Sequence, residues 1–200
     1  EKYKRIHKFI FKYLTAYGFP IAIGMWMLAQ PIIELVYNKP GYEPASQALQ
    51  IFGIFIFFRF LGNVSGQSLT AIDKQNQENI IAGSYFIILL IANFFMINAY
   101  GFMGAVYTTV VCEALLRLTY IIFDFKYLKL NIFSYFKKLA PIALACALMA
   151  VFIYFTKGSL NVIIVVVLSA LFYGFLLWLF RFFDAYDKTL FSQLINKKKD

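Results

Sequence analysis

The 200-residue chain is too apolar for a water-soluble domain, since 62% of its residues are hydrophobic, 20% aromatic and only 14% charged. A soluble domain typically carries about 25% charged residues. The net charge of +9 does not indicate nucleic-acid binding, because the basic residues flank apolar runs, where they act as topology signals. We therefore predict an all-α, polytopic bundle of six transmembrane helices.

The first predicted span, Tyr13–Val36, follows a basic segment. Residues 1–12 hold five lysines and arginines among aromatic residues, which predicts a cytosolic lead-in that lies along the lipid headgroups. Pro20 and Pro31 lie inside the span. Because proline removes a backbone hydrogen bond, the helix is expected to kink or to be interrupted at these positions.

The central span lies in the stretch Ala48–Gln77, and between Leu49 and Ile72 its only formal charge is Arg59. At about 1.5 Å per residue it covers the roughly 30 Å of bilayer hydrocarbon. A guanidinium at mid-depth costs at least about 2.5 kcal/mol, so Arg59 needs a counter-charge, water or a ligand. Two interpretations remain open: a cavity-lining arginine that meets an anionic substrate, or an arginine in a structural ion pair.

The third span, Ile80–Tyr100, and the fourth, Phe102–Phe123, are too close in sequence to be anything but an antiparallel hairpin. Small residues at 101, 104 and 105 predict close backbone approach there. Glu113 and Arg117 are four residues apart, hence on one helix face. Counting from the outer side puts Glu113 at the depth of Arg59, which predicts that both arginines share this carboxylate. Arg117 is then expected to be dispensable for folding but not for transport.

The remaining segments are predicted from their basic and aromatic content. They are a cytosolic interfacial segment at 124–138, two further spans within 139–183, and a cytosolic amphipathic basic tail at 184–200. Fifteen lysines and arginines fall on one side of the predicted spans and two, Lys39 and Lys157, on the other. This bias predicts that both termini are cytosolic.

Catalytic and metal-binding patterns are not found in the sequence. A zinc site or a Ser-His-Asp triad would need His7, whose basic surroundings instead indicate an interfacial surface residue. Cys112 and Cys146 fall inside apolar spans without metal-ligand spacing, which indicates packing roles. We expect neither an enzyme nor a cofactor.

Several short motifs resemble polysaccharide (O-antigen-type) flippases of the multidrug/oligosaccharidyl-lipid/polysaccharide exporter superfamily. The resemblance covers about residues 13–123 and reaches the last two spans only in hydropathy. It rests on Pro31–Tyr37 (PIIELVY), Gly41-Tyr42, Ala45, Leu49, Gly66–Gln75 (GQSLTAIDKQ), Asn93, Tyr100–Ala105 (YGFMGA) and Glu113. It implies a two-lobed exporter in which residues 13–123 form a four-span core of the C-terminal lobe. The resemblance also implies that the N-terminal lobe of such an exporter is not part of these 200 residues.

The resemblance implies a transporter that flips lipid-linked oligosaccharide across the cytoplasmic membrane, in contact with membrane lipids and with the missing lobe. The candidate substrate-binding residues are Arg59, Asn63, Glu113 and Arg117. A multidrug cation exporter of the same superfamily is an alternative, but it would need buried carboxylates unmatched by bases. A membrane scaffold that binds a partner protein without transport is a third hypothesis.

Overall fold

A computed structural model of the chain describes residues 2–37, 41–128, 132–180 and 182. Throughout these residues the regular structure is helical, and each helix is long and apolar enough to cross a membrane. The chain is therefore a multi-pass membrane protein, and the predicted all-α bundle of six spans is confirmed. Lys39 and the predicted tail at 184–200 lie outside the described residues. The helices are α1 (Lys2–Tyr37), α2 (Glu43–Ala71), α3 (Gln75–Tyr100), α4 (Phe102–Leu128), α5 (Ile132–Thr156) and α6 (Val162–Leu179).

Helix α1 joins the basic lead-in and the first span into one element. It has 36 residues, so it is about 54 Å long at about 1.5 Å per residue. This exceeds the roughly 30 Å of hydrocarbon, so one end of α1 projects beyond it. The described part of the lead-in therefore continues the helix of the first span rather than forming a separate segment along the headgroups.

Neither proline interrupts α1, although both lie inside it. Pro20 has no N–H to donate to the carbonyl of Ala16, four residues earlier. The hydroxyl of Tyr173 on α6 donates to that carbonyl instead, at 2.8 Å. A side chain of a neighbouring helix thus replaces the missing backbone hydrogen bond, as a helix in a water-free environment requires.

The helices pack in the spatial order α3, α4, α2, α1, with α5 and α6 together on the far side of α1. Helix α3, which is described in full, has no buried residue and lies at the edge of the bundle. The largest apolar core cluster joins α1, α5 and α6, and includes Leu28, Ile142 and Val165. Helices α1, α2 and α4 therefore form the centre of the structure, where α2 carries the central span.

The α3–α4 hairpin turns at one residue, Gly101, whose φ of +61° is accessible mainly to glycine. Gly104 then passes so close to α3 that a Cβ on it would lie 2.0 Å from the carbonyl oxygen of Met96. The predicted antiparallel hairpin and its close backbone approach are both found.

Several helix boundaries differ from the sequence-based ones. Helix α2 begins at Glu43, earlier than expected, and the chain already enters α3 at Gln75. The described residues of the segment 124–138, which we predicted to lie in the interface, belong to the end of α4 and the beginning of α5. Its first residue, Asp124, is buried because it lies on the face of α4 that meets α1.

Candidate functional site

The ionic cluster at the middle of the bundle consists of Arg59 on α2 and Glu113 and Arg117 on α4. Arg59 is 16 residues from the beginning of α2 and 12 from its end, and Glu113 is similarly central in α4. Because α2 and α4 pack against each other, these mid-helix positions come together. Charged groups thus meet in spans that are otherwise apolar.

Both guanidinium groups contact the same carboxylate oxygen. Arg117 places Nη2 at 2.7 Å and Nε at 2.8 Å from Oε1 of Glu113. Arg59 reaches that oxygen through Nη1 at 3.4 Å. The predicted sharing of one carboxylate by two arginines is confirmed.

The two arginines differ in how tightly they are held. The side chains of Arg117 and Glu113 are each 12% exposed, whereas that of Arg59 is 55% exposed. Arg117 makes two short charge-assisted bonds, a geometry typical of strong ion pairs. Arg59 makes one long contact and lies beside the ring of Phe55, 5.5 Å from its centroid. Arg117 is therefore the more tightly held partner of Glu113, and Arg59 is the more exposed of the two cations. This geometry favours a structural contribution from Arg117, whereas the sequence led us to expect that folding does not depend on it.

Gly62 allows α2 and α4 to approach at this cluster. A Cβ at Gly62 would lie 2.6 Å from Cβ and 2.9 Å from Cδ of Arg117. The stem of Arg117 thus packs against the bare backbone of α2, and its guanidinium is directed along α4 to Glu113. Small residues serve this purpose at many contacts between transmembrane helices.

Asn63, the remaining candidate, follows Arg59 by one turn of α2 and is half-buried. Its position adds an amide on the same helix face as Arg59. The structure thus brings Arg59, Glu113 and Arg117 into contact and places Asn63 one turn away along α2.

The charges of the cluster do not cancel. One carboxylate against two guanidiniums leaves an excess of about one positive charge, carried by the more exposed arginine. An anion is the complementary ligand, and a guanidinium suits phosphate because it offers paired donors and stays ionised. The carboxylate of Glu113 is already engaged by both arginines, which argues against an organic cation as the ligand here.

A second feature is an apolar groove of about 560 Å³ between α1, α5 and α6. It is lined on α1 by Tyr17, Ile21 and Met25, and on α5 and α6 by residues such as Ile153, Val166 and Gly174. Its volume is in the range of ligand pockets, about 300–1,000 Å³. The lining favours a hydrocarbon chain.

Sequence reasoning missed a buried polar cluster near the beginning of α1. His7 is 3% exposed and lies between Asp124 and Tyr135, so its assignment as a surface residue is wrong. Lys12, also assigned to the surface, is buried and donates to the backbone carbonyl of Phe182. The sequence did contain one signal for this cluster, because Asp124 is a single carboxylate that directly follows an apolar span. Its partner His7 is more than a hundred residues away along the chain.

Comparison with known proteins gives one informative likeness. Neither a protein-family model nor a curated sequence matches the chain. A solved structure titled "Lipid II flippase MurJ, inward closed conformation" is similar, with a TM-score of 0.74 and 20% sequence identity. The similarity covers 90% of this chain but only 39% of that one. The likeness establishes a shared fold, and the chain spans well under half the length of its structural neighbour.

Proposed function

We propose that the chain is part of a transporter that flips a lipid-linked sugar precursor across the cytoplasmic membrane, with Arg59 as the residue that receives its phosphate. The observation that carries the proposal is the exposed guanidinium near the middle of a membrane span, in a cluster with one excess positive charge. An ionisable group at that depth is expensive, and such groups usually mark substrate or ion pathways. The likeness of the fold to a lipid II flippase supports the same class of substrate.

The chemistry of a lipid-linked sugar explains why such a group is needed. Its phosphate or diphosphate joins a polar sugar to a long hydrocarbon chain, and this anion must cross about 30 Å of hydrocarbon. Arg59 can offer paired N–H donors and a permanent charge to the phosphate oxygens. Glu113 and Arg117 hold each other in place beside it, and the Asn63 amide can donate to a sugar or phosphate oxygen.

The apolar groove supports the lipid part of the proposal. A hydrocarbon chain in this groove would be covered by α1, α5 and α6 while its head group remains outside the groove. Proteins place a few polar groups next to a mostly apolar pocket when they bind amphipathic ligands. The groove thus suits one stretch of a polyprenyl chain.

The proposed activity belongs to a larger assembly, because the chain spans only 39% of its structural neighbour. We propose that an N-terminal lobe covers the exposed face of Arg59 and completes the path. The chain expressed by itself should insert in the membrane yet not complement a flippase-deficient strain, whereas co-expression with the remaining part of the protein should restore transport. Full complementation by the chain alone would show that a second lobe is not needed.

The orientation is part of the proposal. With both termini cytosolic, single cysteines introduced into a background without Cys112 and Cys146 should react from the outside at Lys157 and only from the inside at Lys74. The physical basis is the strong excess of basic residues on one side of the bundle. Reaction of the Lys74 position with an impermeant reagent from outside would show that the orientation is the opposite of the proposed one.

The test of function is flux in liposomes that contain the whole protein and a fluorescent polyprenyl-diphosphate sugar. We expect Arg59→Gln to lower flux at least tenfold, Arg59→Lys to retain part of it, and Lys157→Gln, which removes an exposed cation at the α5–α6 turn, to have no effect. Equal flux in the wild type and Arg59→Gln would contradict the role of Arg59.

The head group is proposed to be an oligosaccharide for surface polysaccharide assembly. Competition decides this point: unlabelled lipid-linked oligosaccharide and lipid II, the precursor named for the structural neighbour, are each added to the flux assay. Stronger competition by the oligosaccharide is the expected result. Stronger competition by lipid II would assign the chain to cell-wall precursor transport instead.

A further inference from the structure

A buried hydrogen-bonded triad joins three helices near the beginning of α1. His7 on α1 lies between Asp124 on α4 and Tyr135 on α5, with Nε2 at 2.8 Å from Oδ2 of Asp124 and Nδ1 at 2.7 Å from the Tyr135 hydroxyl. The exposed fractions of the three residues are 3%, 1% and 6%.

The three side chains of the triad meet through both ring nitrogens of His7. Burial, the nearby carboxylate of Asp124 and the hydroxyl of Tyr3 raise the pKa of Tyr135 above its usual value, so its hydroxyl keeps its proton. His7 thus bridges a phenol on α5 and a carboxylate on α4.

The triad is poorly suited to permanent packing. Within the described residues, Oδ1 of Asp124 is buried and has no hydrogen-bond partner. Apolar side chains of similar volume often stabilise a core as well as buried charged pairs do, and each unsatisfied buried atom in a native structure calls for an explanation. A contact that opens and closes would supply one, because water could reach the unpartnered oxygen in an open state.

The triad is positioned to control how α5 and α6 lie on the rest of the bundle. This helix pair packs mainly on α1, apart from α2, α3 and α4. Tyr135 lies near the beginning of α5, and Met149, which lines the apolar groove, is 14 residues further along the helix. At about 1.5 Å per residue this is about 21 Å of continuous helix, with Pro141 between the two positions, so α5 connects Tyr135 directly to the groove wall.

We propose that His7, Asp124 and Tyr135 form a latch that holds the α5–α6 pair on α1, and that opening of this latch moves α5 and changes the width of the apolar groove. The three are positioning residues. Only the statement that the groove holds a lipid chain rests on the proposed function, because movement of α5 is measurable without substrate.

The native cysteines report on the latch. Cys146 on α5 is 2% exposed and packs in the core that α5 forms with α1 and α6. Cys112 on α4 is buried but belongs to the other side of the bundle. The experiment measures the rates at which membrane-permeant N-ethylmaleimide labels each cysteine in the whole protein in native membranes, resolved by peptide mass spectrometry.

Tyr135→Phe removes one hydroxyl but keeps the ring that packs against Phe11, whose centroid is 5.0 Å away. We expect roughly tenfold faster labelling of Cys146 and unchanged labelling of Cys112. The matched control Tyr154→Phe removes a hydroxyl from an exposed position on the same helix and should change neither rate.

A second variant, His7→Leu, removes both hydrogen bonds of the latch and should give the same selective acceleration at Cys146, which keeps the test available if Tyr135→Phe does not accumulate. Two results would overturn the latch: unchanged labelling of Cys146 in these variants, or equal acceleration at both cysteines, which means general loosening. Since the assay contains no substrate, loss of the latch leaves the proposed transport function standing, and a failed flux assay leaves the latch standing.

Discussion

The asymmetry between the two arginines predicts that their removal has unequal effects on stability. Arg117→Gln deletes two bonds of 2.7 and 2.8 Å to Glu113 and leaves this largely buried carboxylate with the single 3.4 Å contact from Arg59. Arg59→Gln deletes only that long contact, from a side chain that is 55% exposed. The first change breaks a buried pair, and the second a partly exposed one.

The magnitudes follow from these environments. Breaking a buried pair costs about 3–5 kcal/mol. We expect Arg117→Gln to lie near the lower end, about 3 kcal/mol, because Arg59 still neutralises the carboxylate. Exposed ion pairs contribute about 0–1 kcal/mol, so Arg59→Gln should lower the free energy of unfolding by less than about 1 kcal/mol.

The assay is unfolding of the purified protein by SDS in mixed micelles, followed by the fluorescence of Trp26 and Trp178, which yields a free energy for each variant. We expect a difference of about 2 kcal/mol between the two variants, with Arg117→Gln the less stable. Equal destabilisation, or a larger effect of Arg59→Gln, would refute the division of the cluster into a structural arginine and a ligand-binding arginine.

Three further changes test the packing. Tyr173→Phe should lower the free energy of unfolding by about 1–3 kcal/mol, because the carbonyl of Ala16, freed by Pro20, loses its donor. In a Pro20→Ala background the backbone N–H of residue 20 returns and can donate to this carbonyl. If Tyr173→Phe costs as much in that background, this explanation is wrong. Gly62→Ala should lower the free energy of unfolding by about 1–3 kcal/mol, because it overpacks the α2–α4 contact. Gly83→Ala should be neutral or stabilising, because its added methyl group meets open space on α3. Similar costs at both sites would contradict the close approach of α2 and α4. Glu113→Gln leaves two neighbouring guanidiniums without a counter-charge, so less monodisperse protein should be recovered by size-exclusion chromatography, and wild-type recovery would argue against the shared carboxylate.

Hydropathy and depth were enough to predict the six spans and the central ionic cluster. A span needs about twenty apolar residues, a constraint that can be read directly from the sequence. The pairing of Arg59 with Glu113 was predictable because both are costly at mid-depth and lie at the same level, so each needs the other. The α3–α4 hairpin followed from the single-residue turn at Gly101.

The remaining features depend on packing that local sequence does not specify. The exposed fraction of each arginine depends on Gly62 and on how closely α4 approaches α2, so the sequence could not show that Arg117 is the more tightly held of the two. His7 seemed exposed because its neighbours along the chain are basic, yet one face of α1 at this level is covered by α4 and α5. The uninterrupted helix at Pro20 depends on a hydroxyl from Tyr173, more than 150 residues away.

The central claim is that Arg59 receives the phosphate of a lipid-linked substrate, and direct binding tests it. Binding of a polyprenyl diphosphate and of the uncharged polyprenol of equal length would be compared on the whole protein by native mass spectrometry. The wild type should prefer the diphosphate, and Arg59→Gln should lose about tenfold in affinity for it, about 1.4 kcal/mol, with polyprenol binding unchanged. Equal binding of both lipids by the wild type, or undiminished binding of the diphosphate by Arg59→Gln, would contradict the account.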